Sequence, residues 1–173
     1  KKIKLIKLYV DKGSTEAMVY YSNVVGEDKE EAIKYMKMAA DNGNVKGMLT
    51  YGSVLESGDR NYKEAAQYYK MASDKGSIEG SLSYALMLVN GKGVEVNKEE
   101  AAKYFKLGAE KGNIKAIVQY GQMLLDGIGV PVDEEEAARH FRQAAFKGHP
   151  DGMFYFGHVL YSGRGVSANK RKA

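Results

Sequence analysis

The chain has 173 residues, of which 44% are hydrophobic, and this is enough for one domain with a continuous core. It has no Cys, which excludes disulfides and thiolate metal sites. It also lacks an apolar run of about 18 residues, so we expect no membrane-spanning helix. The net charge is +4, but the basic residues do not form a stripe, which argues against nucleic-acid binding.

The predicted elements form repeats of two helices. A half repeat comes first and another comes last, and four full repeats lie between them. The divisions fall at residues 1–12, 13–42, 43–75, 76–111, 112–147 and 148–173. We expect residues 1–173 to form a single α-solenoid domain. Because the chain starts at Lys1 and not at Met, we interpret it as a fragment of a longer protein.

The first helix of each repeat, helix A, follows a glycine. An aromatic residue lies eight positions after that glycine, small residues lie four and nine positions after it, and Val or Leu lies twelve after it. Spacings of four lie along one side of a helix, so this face is predicted to pack. Gly121 is one of the small residues, and we expect Gly121→Leu to destabilise the protein by overpacking. The glycines are Gly13, Gly43, Gly76, Gly112 and Gly148, and the aromatic residues are Tyr21, Tyr51, Tyr84, Tyr120 and Phe156.

The second helix, helix B, begins with a capping residue that has Glu three positions later. The predicted caps are Asp28, Asn61, Asn97 and Asp133. Helix B continues with Ala and a bulky pair, and it ends at the glycine of the next repeat, for which a left-handed cap is predicted. A G-x-G-V turn, such as Gly127–Val130, joins the two helices in the later repeats. The first two repeats lack it, and we expect this difference to alter only a loop.

These positions resemble the Sel-one-like repeat (SLR), a relative of the tetratricopeptide repeat. The resemblance covers nearly the whole chain. It implies an all-α fold, a right-handed superhelical solenoid of antiparallel helix pairs, and a function as an adaptor. The matching residues include Gly47, Tyr51-Gly52, Leu55, Ala65, Tyr68-Tyr69 and Gly76, and again Ala116, Tyr120-Gly121, Leu124, Gly127-Ile128-Gly129-Val130, Asp133, Ala137, Phe141, Ala144-Ala145 and Gly148.

The side of helix A outside the packing face is largely polar and differs from repeat to repeat. We call it the helix A stripe, and we predict that it lines a concave groove that binds a partner protein or peptide. A solvated face with no partner is the alternative. The predicted partner-binding residues are Lys46, Thr50, Ser53, Glu79, Ser83, Leu86, Lys115, Gln119, Gln122, Asp151, Tyr155 and His158.

The sequence gives little support for a metal site, a phosphate-binding loop or catalysis. The histidines, His140, His149 and His158, lack metal-ligand spacing, and the glycine pairs do not form a phosphate loop. We therefore expect no metal, no cofactor and no enzymatic activity. The repeated tyrosines are predicted to be core residues, although a ligand platform is the alternative. A second functional hypothesis is an accessory segment of a larger enzyme or of a membrane-associated degradation complex.

The last helix A carries apolar residues without a helix B to cover them. We expect self-association through this open end, or continuation of the repeats in a longer protein. The residues concerned are Met153, Phe154, Phe156, Val159 and Leu160. The absence of Cys favours a cytoplasmic location, while the endoplasmic-reticulum lumen and the periplasm stay open.

Overall fold

A computed structural model describes residues 2–24, 29–58 and 60–165. These residues form ten α-helices and no strand, which confirms the all-α prediction. Eight of the helices are 13 residues long, and the first two have 10 residues each. The helices are α1 (Lys2–Asp11), α2 (Thr15–Val24), α3 (Lys29–Asp41), α4 (Val45–Ser57), α5 (Tyr62–Asp74), α6 (Ile78–Asn90), α7 (Lys98–Glu110), α8 (Ile114–Asp126), α9 (Glu134–Phe146) and α10 (Pro150–Ser162).

The chain divides into two compact units. The first comprises Lys1–Met87 and Gly91–Glu95, and the second comprises Leu88–Asn90 and Val96–Ala173. In the first unit, each helix from α1 to α4 packs against the helix that follows it in the chain. In the second unit the same holds from α7 to α9. Even-numbered helices are helix A of a repeat, and odd-numbered helices are helix B.

The helix ends follow the predicted capping chemistry. Asn61, Asn97 and Asp133 each accept a hydrogen bond from the backbone N–H three residues later, at 3.3, 3.0 and 2.9 Å. The fourth predicted cap, Asp28, lies outside the described residues. The glycine after each helix B has a φ between 78° and 86°, a left-handed conformation that other residues adopt only with strain. The cap bonds fix where α5, α7 and α9 begin, and the left-handed glycines follow the ends of helix B.

The repeated aromatic residue of helix A packs edge-on against the first bulky residue of helix B. The ring centroids are 4.8 Å apart for Tyr21 and Tyr35, and 5.0 Å apart for Tyr51 and Tyr68. All four of these tyrosines are buried. Edge-to-face geometry is favourable for two aromatic rings, so the pairs stabilise the contact between the helices. The core interpretation of the tyrosines is therefore confirmed.

Small residues on helix A allow close approach of helix B, as Gly52 and Gly121 show. At Gly52, a Cβ atom would lie 2.8 Å from Cε1 of Tyr69, and at Gly121 it would lie 2.9 Å from Cε1 of Phe141. Real Cβ atoms do not come this close, so neither glycine has room for a side chain unless the facing ring moves. The prediction of close packing at Gly121 is confirmed.

The G-x-G-V turn does more than connect two helices. Its second glycine lies directly against the backbone at the start of the preceding helix B, as Gly93 does at Tyr62 and Gly129 does at Lys98. A Cβ atom at either glycine would overlap that backbone. The turn is therefore a packing contact between successive repeats, a role that the sequence analysis did not predict.

Candidate partner-binding surface

The helix A stripe is mostly accessible in both units. Thr50, Ser83, Gln119 and Tyr155 are half-buried, and all four stand at the same position, seven residues after the repeat glycine. The exposed members of the stripe are Lys46, Ser53, Glu79, Leu86, Lys115, Asp151 and His158, and the remaining half-buried member is Gln122. This position is therefore less accessible than the rest of the stripe in these four repeats, whereas Tyr20, at the same position of the first repeat, is exposed.

In the first unit, the half-buried positions of the stripe carry the small side chains of Thr50 and Ser83. The hydroxyl of Thr50 donates to the backbone carbonyl of Lys46 at 2.9 Å, so its hydrogen bond stays within α4. Tyr69 of helix B has its hydroxyl bonded to Oε2 of Glu56 at 3.3 Å. Burial and the Glu56 carboxylate raise the pKa of Tyr69 to about 12, which keeps the phenol neutral. The polar groups named here thus have partners within the protein.

In the second unit, a partly open cavity lies beside α8. Its volume is about 180 Å³. The buried ring of Phe105 and apolar side chains supply much of its wall, and two amides and a carboxylate supply the polar part. The lining residues are Val89, Phe105, Gln119, Gln122, Met123, Asp126 and Ile128. Two predicted site residues, Gln119 and Gln122, therefore line one cavity together, and the sequence analysis did not predict this cavity.

Tyr155 requires a correction. The helical wheel placed it outside the packing face, but its ring stacks on the buried ring of Phe141, with centroids 5.0 Å apart and an angle of 23° between the planes. The adjacent ring of Phe154 also contacts it edge-on, at 5.2 Å. Tyr155 therefore contributes to packing. The stripe predicted from helical spacing is wider than the surface that stays accessible in the structure. Its neighbour His158 is exposed.

The apolar face of α10 divides into a covered part and an exposed part. Val159 is fully buried, whereas Phe154 is 67% exposed and Met153 is 53% exposed. Leu160 is exposed and Phe156 is half-buried. Self-association through this face stays a prediction, which sedimentation at increasing concentration would check.

His140 lies at the contact between α8 and α9. Its ring packs edge-on against Tyr120, with centroids 5.4 Å apart. Burial lowers the pKa of His140, an effect that the nearby Glu136 carboxylate opposes and Arg139 reinforces. His140 occupies the position of Tyr35 and Tyr68 in earlier repeats, so its surroundings are those of a core position.

The described residues contain neither a cluster of metal-ligand side chains nor a membrane-spanning helix. In those residues, no group of three or more His, Cys, Asp or Glu side chains is placed to hold a metal ion. No helix there is both long enough and apolar enough to cross a bilayer.

A match to a known repeat family identifies the family of this chain. The Sel1 repeat profile matches residues 17–44, 47–77, 79–113, 114–149 and 150–173. The chain belongs to the Sel1 repeat family. Each of the first four matches spans the helix A and helix B of one Sel1 repeat. Sel1 repeat proteins generally act as scaffolds for protein interactions.

Solved structures share this Sel1 repeat fold. A protective antigen of uropathogenic Escherichia coli with an SLR fold is 25% identical, with a TM-score of 0.89 over 96% of this chain. This chain spans only 38% of that antigen. A Sel1 repeat protein from Oxalobacter formigenes is 23% identical, with a TM-score of 0.81, and the match covers 98% of this chain and 71% of that one.

A third similar structure is the cysteine-rich protein B of Helicobacter pylori. It is 24% identical, with a TM-score of 0.58, over 73% of this chain and 92% of that one. Its name records a cysteine content that this Sel1 repeat chain does not share. A search of curated proteins finds no match. The comparisons therefore show the family and the fold.

Proposed function

We propose that this Sel1 repeat chain is a scaffold that holds a partner protein or peptide, and that the helix A stripe of the second unit carries the binding residues. The observation behind this proposal is the cavity beside α8, where Gln119 and Gln122 meet the buried ring of Phe105. A partly open cavity whose wall is apolar and aromatic and carries a few polar groups has the make-up common in ligand-binding sites.

The distribution of residue types supports the same surface. Packing positions repeat closely, as Gly52 and Gly121 do, because the facing helix leaves no room for change. The half-buried row of the stripe does not repeat, since Thr50, Ser83 and Gln119 differ in size and polarity. A fold that required one residue type there would not tolerate this variation. Such variation suits a binding surface, because each repeat would contact a different part of the partner.

The test compares two double variants. Gln119→Ala with Gln122→Ala removes the amides of the stripe, and Lys103→Ala with Lys106→Ala alters exposed positions on helix B of the same unit. Proteins captured on the immobilised chain are identified by mass spectrometry, and one is then purified for titration calorimetry. We expect the stripe variant to weaken its binding by about five-fold or more, a loss of about 1 kcal/mol.

Thermal unfolding provides the control for folding. Both double variants should keep their stability within about 0.5 kcal/mol per substitution, the usual range for surface changes. Loss of binding in the helix B variant, with full binding in the stripe variant, would contradict the proposal. The partner surface would then be the helix B side of the molecule.

A second candidate function is an accessory segment of a larger protein. It is favoured by the comparison with the E. coli antigen, of which this chain spans 38%. An antibody against this segment would measure the mass of the native protein in a cell extract. A native mass near 19.1 kDa would count against this candidate.

A further inference from the structure

We draw no further inference here: the strongest candidate, the exposed apolar face of α10 that includes Met153 and Phe154, carries none because nothing in the structure shows what covers it.

Discussion

α8 and α10 carry the same repeat positions but have different surroundings. α8 packs against α7 and α9, whereas α10 packs against α9. The aromatic residue of α8, Tyr120, is 9% exposed, and its counterpart Phe156 is only half-buried. A Cβ atom built on Gly157 would have no described residue within 4 Å. A Cβ atom built on Gly121 would lie 2.9 Å from Cε1 of Phe141. The same repeat position therefore has different surroundings in the two helices, because Gly121 faces the Phe141 ring of α9 and Gly157 faces none of the described residues.

The largest expected effect comes from the facing helix itself. Phe141 is fully buried and contacts both Tyr155 and the position of Gly121, so Phe141→Ala should reduce the free energy of unfolding by about 3–5 kcal/mol. Phe154, on the exposed side of α10, is the matched control, and Phe154→Ala should change it by less than about 0.5 kcal/mol. Urea denaturation measures both values. Equal losses in the two variants would break the comparison between α8 and α10.

Substitutions at Gly121 and Gly157 should change the stability by smaller amounts and in opposite directions. Gly121→Leu should destabilise the protein by about 1–3 kcal/mol, because the new side chain must displace the Phe141 ring. Gly157→Leu meets open space among the described residues and should stabilise α10 by up to about 1 kcal/mol, since Leu has the higher helix propensity. Thermal unfolding of the pair provides the measurement. A raised melting temperature for Gly121→Leu would contradict close packing at α8.

The helix N-termini also differ. Asn113 caps α8 by accepting the N–H of Ala116 at 3.1 Å, whereas the corresponding His149 makes no side-chain cap bond to α10. The Nδ1 atom of His149 is also buried without a hydrogen-bond partner among the described residues. We expect His149→Asn to stabilise the protein by about 0.5–1 kcal/mol by capping the N–H of Gly152. Asn113→Ala is the reciprocal control and should lose a similar amount in the same denaturation assay.

The smallest expected effect is a pH dependence at the contact between α8 and α9. Burial lowers the pKa of His140 below its ordinary value of 6.5, so the folded state favours the neutral ring. The stability contributed by the neutral ring is present above pH 6.5 and is lost as the pH falls below it. Partial exposure and the Glu136 carboxylate keep the effect small.

His140→Tyr restores the residue type found at this position in earlier repeats and removes the titrating group. Melting temperatures measured between about pH 7.5 and pH 5.5 should therefore fall less steeply in the variant than in the unmodified chain. Parallel pH profiles for the two proteins would show that His140 is not responsible for the acid sensitivity.

The helix pairs, the N-caps of helix B and the close packing at Gly121 could be predicted from the amino-acid sequence. Caps depend on a side chain and a backbone N–H three residues apart, as in Asp133 and Glu136, so the sequence contains both partners. Close packing at Gly121 was predictable because the small residue recurs at one spacing in every repeat, and helical periodicity translates that spacing into one face.

What only the tertiary structure decided was how the helix A stripe divides between packing and open surface. Tyr155 and Gln119 stand at the same position of successive repeats, yet the Tyr155 ring stacks on the buried Phe141 ring, whereas Gln119 lines a partly open cavity. The G-x-G-V turn likewise became a packing contact through the backbone of a preceding helix. The physical reason is that such features depend on the volume left between residues far apart in the chain, and periodicity along one helix does not contain that volume.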